Sequence, residues 1–168
     1  MSTQRLKIEQ IQEYDFTDLL KIYQQKENMK YILSGKYDYK MLEIKEKWNL
    51  IKYNPDTQLG FNIIKLKSDN RIIGECGLLA TSKSIEEEVE IAYMIDKKFW
   101  GQGLGTEICK HLVKEAFENI KTKRIIAGMY KENINSIMLI TKMGFNLCNE
   151  GLSNSGIYFK EFELLIHH

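Results

Sequence analysis

The chain is organised around Phe99-Trp100-Gly101-Gln102-Gly103-Leu104-Gly105-Thr106. This stretch stands between a strand-like run, residues 89–96, and a strongly amphipathic segment, residues 104–120. Its closely spaced glycines let the backbone approach a bulky group and adopt angles closed to other residues. A helix that begins there points free N–H groups and the positive end of its dipole outward. The stretch therefore predicts an anion site, most readily for a phosphate or diphosphate.

Two common phosphate-binding patterns do not fit this turn. The Walker pattern ends in Gly-Lys-Ser/Thr, whereas Gly105 is followed directly by Thr106. The dinucleotide fingerprint requires a further glycine, and the position that would hold it is Ile108. A tight strand-to-helix turn without any ligand is the remaining alternative.

The composition of the chain indicates an ordinary globular protein. With 168 residues, of which 43% are hydrophobic, we expect a single domain over residues 1–168. A net charge of +1 gives no basic field for nucleic acid. We find no apolar run of membrane-spanning length and no signal-peptide core, so we expect a cytoplasmic protein that does not bind membranes. The cysteines are Cys76, Cys109 and Cys148, which are too far apart in sequence for a metal motif.

The periodicity of apolar residues predicts four helices, at 16–23, 39–53, 104–120 and 133–143. In the second of these, Leu42, Trp48 and Ile51 are expected to face inward. Strands are predicted from about Arg5 and at 60–66, 71–79, 88–96, 124–130, 145–148 and 156–165. The strands first follow one another and later alternate with helices. This order predicts a mixed α/β fold with a mostly antiparallel sheet of six to seven strands.

Four motifs together resemble the GNAT acyltransferases. They are Glu90-Ile-Ala-Tyr-Met-Ile-Asp96, the glycine stretch, Asn133-x-x-Ser136 and Lys142-Met-Gly-Phe145. The resemblance is specific from about residue 90 to 145 and is closest to the ribosomal-protein N-terminal (Rim-type) branch. Trp100 departs from the general pattern, which has Arg or Gln there, but Rim-type members often carry Trp-Gly. The resemblance implies the GNAT fold and an acetyl-CoA-dependent N-acetyltransferase.

The resemblance also implies where acetyl-CoA binds, without a metal. The diphosphate would lie on the backbone of the glycine turn, which comprises Gly101, Gln102, Gly103, Leu104, Gly105 and Thr106. The pantetheine arm would run beside Met94, Ile95 and Asp96, and Asn133 would bind or orient it. The thioester would then lie where the fourth and fifth strands splay apart.

Two residues are candidates for catalysis. Glu90 matches the strand-four glutamate of the family and could accept the proton of the attacking amine. Its alternative reading is one more solvated charge after Glu86, Glu87 and Glu88, although apolar neighbours flank it. Many GNATs protonate the leaving thiolate with a tyrosine seven residues after the asparagine, where this chain has Ile140. Ser136 is therefore the candidate donor, and simple helix capping is the alternative for Asn133 and Ser136.

The acceptor side is expected between the first strand and the second helix, residues 28–48. Tyr31, Tyr37 and Trp48 are the candidate substrate-binding residues, and burial in the core is the alternative for each. The expected acceptor is a primary amine, most readily a protein N-terminus. The other possibilities are a small amine such as a polyamine, amino sugar or antibiotic, or a CoA-binding module without catalysis. The expected assembly is a monomer or a homodimer.

Overall fold

Seven strands and five α-helices make up the computed structural model, which describes residues 2–32, 35–153 and 156–166. The helices are α1 (Phe16–Tyr23), α2 (Lys26–Met29), α3 (Met41–Ile51), α4 (Leu104–Lys114) and α5 (Ile134–Lys142). The strands are β1 (Leu6–Glu9), β2 (Gly60–Leu66), β3 (Ile72–Ala80), β4 (Glu88–Ile95), β5 (Arg124–Tyr130), β6 (Asn146–Leu152) and β7 (Tyr158–Leu165).

The strands form one sheet in the order β1-β2-β3-β4-β5-β7-β6. The pairings β1–β2, β5–β7 and β6–β7 are antiparallel, whereas β4–β5 is parallel. A parallel pair needs a crossover connection, and α4 lies in the segment that joins β4 to β5. The predicted mixed, mostly antiparallel sheet is confirmed, with seven strands.

The residues group into two units. The N-terminal unit comprises Met1–Gly77 and Tyr93–Ile108, and the C-terminal unit comprises Leu78–Ala92 and Cys109–His168. The expectation of a single domain stays a prediction. Residues 33 and 34 of the predicted acceptor segment lie outside the described residues, as do His167 and His168. Among the described residues we find no helix whose length and hydropathy would let it span a bilayer.

The core of the N-terminal unit lies where α1 and α3 contribute their apolar faces. Leu19 and Tyr23 of α1 are fully buried, as the spacing of apolar residues in 16–23 predicts. In α3 the buried residues are Ile44 and Trp48. Leu42, which we expected to face inward, is 67% exposed, so that prediction is wrong. Trp48 and Ile44 are four residues apart and fix the buried stripe of α3, and Leu42 lies off that stripe.

Two predicted elements differ clearly in extent from the structure, and one short helix was not predicted. The helix predicted at 104–120 is α-helical only over Leu104–Lys114 and continues as a π-helical segment, Glu115–Ile120. Lys121 ends this segment in the left-handed region, with φ of 63°. The strand predicted at 145–148 extends over Asn146–Leu152, because a register irregularity after Leu147 lets β6 continue along β7. α2 is a short helix that is not among the four helices predicted from the periodicity.

A buried ionic network around Glu75 on β3 was not predicted from the sequence. Glu75 is only 3% exposed, and its carboxylate accepts a hydrogen bond from the Tyr23 hydroxyl. Lys47 Nζ lies 3.6 Å from Glu75 Oε1 and also bonds the Tyr23 hydroxyl. Burial lowers the pKa of Lys47, while the Glu75 charge acts to raise it. Burial also raises the pKa of Tyr23, and the Glu75 charge adds to this effect. The lysine supplies the charge that compensates the buried carboxylate.

We predict that Lys47→Ala destabilises the fold, because it leaves Glu75 buried without a cation. The expected loss is about 3 kcal/mol of unfolding free energy. Lys45→Ala is the matched control, since Lys45 lies on the same helix and pairs with the exposed Glu13. That variant should stay within about 1 kcal/mol of wild type. Urea unfolding of both variants measures the difference, and equal losses would contradict the assignment.

Candidate functional site

The glycine turn has the backbone that an anion site requires. Gly101 and Gly103 lie in the left-handed region, with φ of 73° and 76°, and α4 begins directly after them at Leu104. A side chain at Gly101 would meet nothing within 4 Å, so the turn is open on that side. Glycine is favoured at both positions because other residues rarely adopt a positive φ angle. The open side of the turn leaves room for a ligand.

Hydrogen bonds from neighbouring segments hold the approach to the turn. The Trp100 Nε1–H donates to the Ile95 carbonyl at 2.7 Å, and the Asp96 N–H donates to the Ile73 carbonyl at 2.7 Å. The Asp96 carboxylate accepts from the Lys98 N–H at 3.3 Å, which caps the short 3-10 turn Lys97–Phe99. The proposed pantetheine contacts of Met94, Ile95 and Asp96 stay predictions, and the Asp96 N–H is already bonded within the protein.

Asn28 is a site-supporting residue that the sequence analysis missed. Its Oδ1 accepts from the Lys97 N–H at 2.8 Å, and its Nδ2 donates to Asp96 Oδ1 at 3.3 Å. Asn28 is 5% exposed and stands on α2, at the start of the predicted acceptor segment. It therefore ties that segment to the chain that leads into the glycine turn. No local sequence signal marks such a contact between residues about 70 positions apart in the chain.

The C-terminal unit contains the point at which β4 and β5 part. Among the described residues, their parallel pairing consists of three pairs, from Glu88–Arg124 to Glu90–Ile126. β5 continues beyond this point along β7, with Gly128 exposed to solvent. A Cβ on Gly128 would lie 3.4 Å from Glu90 Oε1, so the glycine leaves room for the carboxylate. Glu90 thus stands at the last β4–β5 pair, and the expected splay is confirmed.

The surroundings of Glu90 favour its protonated form. Burial is the largest cause that raises its pKa, and the charges of Glu161 and Glu88 act in the same direction. The Gly128 N–H bonds the carboxylate and acts to lower the pKa, but the net shift is upward. Within the described part of the chain, no cation lies within ion-pair distance of Glu90 or Glu161. A half-buried carboxylate with a raised pKa is typical of a general base.

Glu88 has a different environment and is not part of a solvated turn. It is 5% exposed and begins β4. Lys83 Nζ lies 2.9 Å from its carboxylate, and the Arg124 guanidinium contacts it as well. Arg124 also pairs with Glu163, at 2.7 Å. Although burial acts to raise the pKa of Glu88, Lys83 and Arg124 help to bring it below its usual value. Two neighbouring carboxylates on β4 therefore have opposite pKa shifts.

Asn133 and Ser136 lie at the start of α5. The Asn133 side chain accepts from the Ser136 N–H at 3.3 Å and caps the helix. This confirms the capping interpretation of Asn133, and its contact with pantetheine stays a prediction. Ile140 is fully buried, so the position where many GNATs carry a tyrosine belongs to the core. Ser136 is half-buried, and its role as proton donor also stays a prediction.

The predicted acceptor aromatics have unlike environments. Trp48 is 1% exposed and packs edge-to-face on Phe61, with ring centroids 6.4 Å apart. Tyr31 is half-buried with Lys30 Nζ 5.0 Å from its ring centroid, whereas Tyr37 is 45% exposed. Trp48 is thus a core residue, as the alternative reading had it. The substrate-binding roles of all three residues stay predictions.

The described ranges contain no group of three or more His, Cys, Asp or Glu side chains that could hold a metal ion. Cys76 and Cys109 are buried, and Cys148 is exposed. The Cys148 Sγ donates to the Glu161 carbonyl at 3.3 Å. The expectation of a reaction without metal stays a prediction.

The sequence model of the "Acetyltransferase (GNAT) domain" matches residues 5–146. The chain belongs to the GNAT acetyltransferase family. The match covers all four motifs on which the resemblance rested: the strand run that begins at Glu90, the glycine turn, Asn133-x-x-Ser136 and Lys142-Met-Gly-Phe145. Trp100 and Ile140 are therefore variations within a GNAT domain.

Curated relatives match this GNAT chain over part of its length. The probable N-acetyltransferase YjcK of Bacillus subtilis (strain 168) is 32% identical over 90 residues, which are 54% of this chain and 49% of that protein. The spermine/spermidine N(1)-acetyltransferase of the same strain is 34% identical over 58 residues, 34% of this chain and 38% of that one. The chain thus spans about half or less of the length of the curated relatives it matches.

A solved GNAT structure shares the fold. The acetyltransferase (GNAT family) from Bacillus anthracis superposes with a TM-score of 0.84 and 19% sequence identity. The alignment covers 98% of this chain and 97% of that one. At this identity the likeness shows the fold alone.

We predict that Gly103→Asp weakens acetyl-CoA binding by about 10-fold or more, because it places a negative charge at a helix start that should receive a diphosphate. Gly103→Ala is the control, since it imposes the same backbone strain at φ of 76° without the charge. It should lose less affinity. Calorimetry on folded variants measures both, and an unchanged affinity of Gly103→Asp would contradict the phosphate site.

We also predict that Glu161→Gln shifts the pH dependence of activity. Removing the Glu161 charge lowers the pKa of Glu90 toward its ordinary value, so Glu90 stays ionised at lower pH. The acidic limb of kcat/KM should therefore move to lower pH. Glu118→Gln removes an exposed carboxylate that does not contribute to this shift and is the control. An unmoved limb in Glu161→Gln would mean that Glu161 does not tune the base.

Proposed function

We propose that this chain is an N-acetyltransferase that transfers the acetyl group of acetyl-CoA to a primary amine by direct attack. One observation carries the proposal: Glu90, a half-buried carboxylate with a raised pKa, stands where the β4–β5 pairing ends. A parted pair of strands leaves backbone groups available to an extended ligand. The family of the chain, whose members transfer acyl groups, supports the same reading.

Acetyl-CoA would be held by backbone groups. The N–H groups of residues 102–106 and the dipole of α4 are suited to the diphosphate, and the Thr106 hydroxyl can add a hydrogen bond. Met94 lies four residues after Glu90 on β4. Because side chains alternate between the two faces of a strand, Met94 and Glu90 lie on the same face. A pantetheine arm along β4 would bring the thioester toward Glu90. Backbone amides do the work of a metal here.

The reaction needs a neutral amine. Glu90 accepts a proton from the acceptor's ammonium group, directly or through one water, and the nitrogen lone pair then attacks the thioester carbonyl. The new N–C bond forms as the carbonyl becomes an oxyanion, which a backbone N–H of β4 can stabilise. The C–S bond then breaks as the carbonyl re-forms, the nitrogen gives up its second proton to water, and CoA leaves as a thiolate. The Ser136 hydroxyl is the proposed donor that protonates this thiolate, and it regains a proton from water.

The acceptor we favour is a protein N-terminus, as in the Rim-type branch. An α-amino group has a pKa of about 7.7–8, whereas an alkylamine such as lysine is near 10.4. A carboxylate base, even with a raised pKa, removes the proton of an α-ammonium group at a smaller free-energy cost. Trp100, which takes the place of the general Arg or Gln, is the residue that points to this branch.

A polyamine is the second candidate acceptor. It is favoured by the named activity of the spermine/spermidine N(1)-acetyltransferase relative. Glu90 and Glu161 could attract a polycation, since neither carboxylate has a cationic partner among the described residues. A panel of N-terminal peptides, spermidine, spermine and amino sugars, assayed for CoA release, distinguishes these acceptors. Release with none of them, despite acetyl-CoA binding, would favour a binding module without catalysis.

We predict that Glu90→Gln lowers turnover by about 100-fold, the low end of general-base assistance, while acetyl-CoA affinity stays close to wild type. The loss should be partly rescued at higher pH, where more free amine exists without a base. Gln is close to Glu in size, so packing at Gly128 should be kept. Measuring the turnover number and, by calorimetry, the acetyl-CoA affinity on the same preparation of Glu90→Gln tests this prediction. Wild-type turnover across the pH range would remove Glu90 from the mechanism.

A further inference from the structure

Arg5, directly before β1, forms a clamp on the glycine turn and takes no part in the proposed proton and acetyl transfers. Its Nη1–H donates to the Gln102 carbonyl at 2.9 Å, and its Nε–H donates to Glu107 Oε2 at 2.7 Å. Its backbone N–H donates to Glu107 Oε1 at 2.7 Å. The Thr3 hydroxyl donates to the same oxygen at 2.5 Å. These bonds join the N-terminal segment to the turn across about 100 residues of sequence.

The hydrogen bond from Arg5 Nη1 to the Gln102 carbonyl orients a peptide group of the glycine turn. In a trans peptide the C=O and the following N–H point in opposite directions. The guanidinium draws the Gln102 carbonyl toward Arg5, so the Gly103 N–H of the same peptide plane must point away from it. Arg5 Nη2 lies 3.6 Å from where a Gly103 Cβ would stand, which places the guanidinium directly beside the turn. The clamp therefore fixes the direction of a donor in the middle of the turn.

The hydrogen bonds from Thr3 and Arg5 to Glu107 compensate the negative charge of its carboxylate. Glu107 lies in the first turn of α4, and its side chain is 14% exposed. A carboxylate there interacts well with the helix dipole but repels any other anion at the same helix end. Burial acts to raise the pKa of Glu107, but the bonds from Thr3 and Arg5 lower it, so the group is ionised. A cation beside it is needed before a diphosphate can bind at the same helix start.

We propose that Arg5 is a positioning residue for the CoA diphosphate: it orients the Gln102–Gly103 peptide and neutralises Glu107 at the start of α4. The inference rests on the proposed function, since it concerns how the same turn receives acetyl-CoA. It adds a specificity element, because the clamp matters only for donors that carry a diphosphate. Acetylpantetheine lacks the nucleotide and the diphosphate and should not depend on Arg5.

The test compares two acetyl donors in wild type, Arg5→Ala and Arg5→Lys. For Arg5→Ala we expect an acetyl-CoA KM and a CoA Kd about 3- to 30-fold higher, with kcat nearly unchanged. The kinetic constants with acetylpantetheine should stay at their wild-type values. Arg5→Lys keeps the charge but lacks the fork that reaches both partners, so its loss should be intermediate. It also serves if Arg5→Ala folds poorly.

Two further variants separate charge from structure. Arg5→Ala combined with Glu107→Gln removes the uncompensated carboxylate and should regain part of the lost CoA affinity. Lys7→Ala is the matched control, because it removes a cation two residues after Arg5 whose ammonium group bonds Asn70 instead of the turn. It should bind CoA as wild type does.

Three results would overturn the inference. The first is equal loss with both donors, which would make Arg5 a residue of general stability. The second is an unchanged CoA Kd in Arg5→Ala, and the third is a double variant that binds CoA no better than Arg5→Ala. Absence of CoA binding by the wild-type protein would instead refute the proposed function, and this inference with it.

Discussion

The candidate site depends on the point at which the parallel strands β4 and β5 stop pairing. β5 is bonded to β7 along its whole length, but its pairing with β4 ends at Ile126. Backbone N–H and C=O groups need partners, so a strand that is paired on one side and open on the other can receive an extended ligand. The Gly128 position, exposed and without a side chain, keeps this opening clear for the Glu90 carboxylate.

Charge compensation makes one carboxylate different from its neighbours. Arg124 and Lys83 neutralise Glu88, and Arg124 also serves Glu163. Glu90 accepts a hydrogen bond from the Gly128 N–H and has no cation within ion-pair distance among the described residues, and the nearby charge of Glu161 opposes its ionisation. The same strand thus carries a structural carboxylate and, two residues later, one whose pKa is suited to taking a proton. In the N-terminal unit, Arg5 likewise neutralises Glu107 beside the glycine turn, where we propose that the diphosphate of acetyl-CoA binds.

Much of the fold could be predicted from local pattern. The spacing of Leu19 and Tyr23 identified α1, and the glycines before Leu104 identified the start of α4. The predictions that were wrong or missing concern residues whose environment is set by tertiary contacts. Leu42 is apolar yet exposed, because the orientation of α3 is set by what Trp48 packs against. Lys47 is charged yet mostly buried, because a partner on a distant strand compensates it.

The candidate site was predictable only where a motif carries it. Glu90 and the glycine turn are marked by residue type and spacing, so the sequence pointed to both. Asn28 and Arg5 act through contacts with Asp96, Lys97, Gln102 and Glu107, which are about 70 to 100 residues away in the chain. Nothing in the local sequence around an asparagine or arginine reports such a partner. Their roles became visible only when the structure brought the segments together.

A crystal structure of the protein with CoA is the decisive test of the proposed acetyl-CoA site. We predict that diphosphate oxygens accept hydrogen bonds from N–H groups of residues 102–106. We also predict that the pantetheine arm follows β4, with the sulfur near the end of the β4–β5 pairing at Glu90. CoA bound elsewhere, or a sulfur remote from Glu90 with the diphosphate in place, would contradict this proposal.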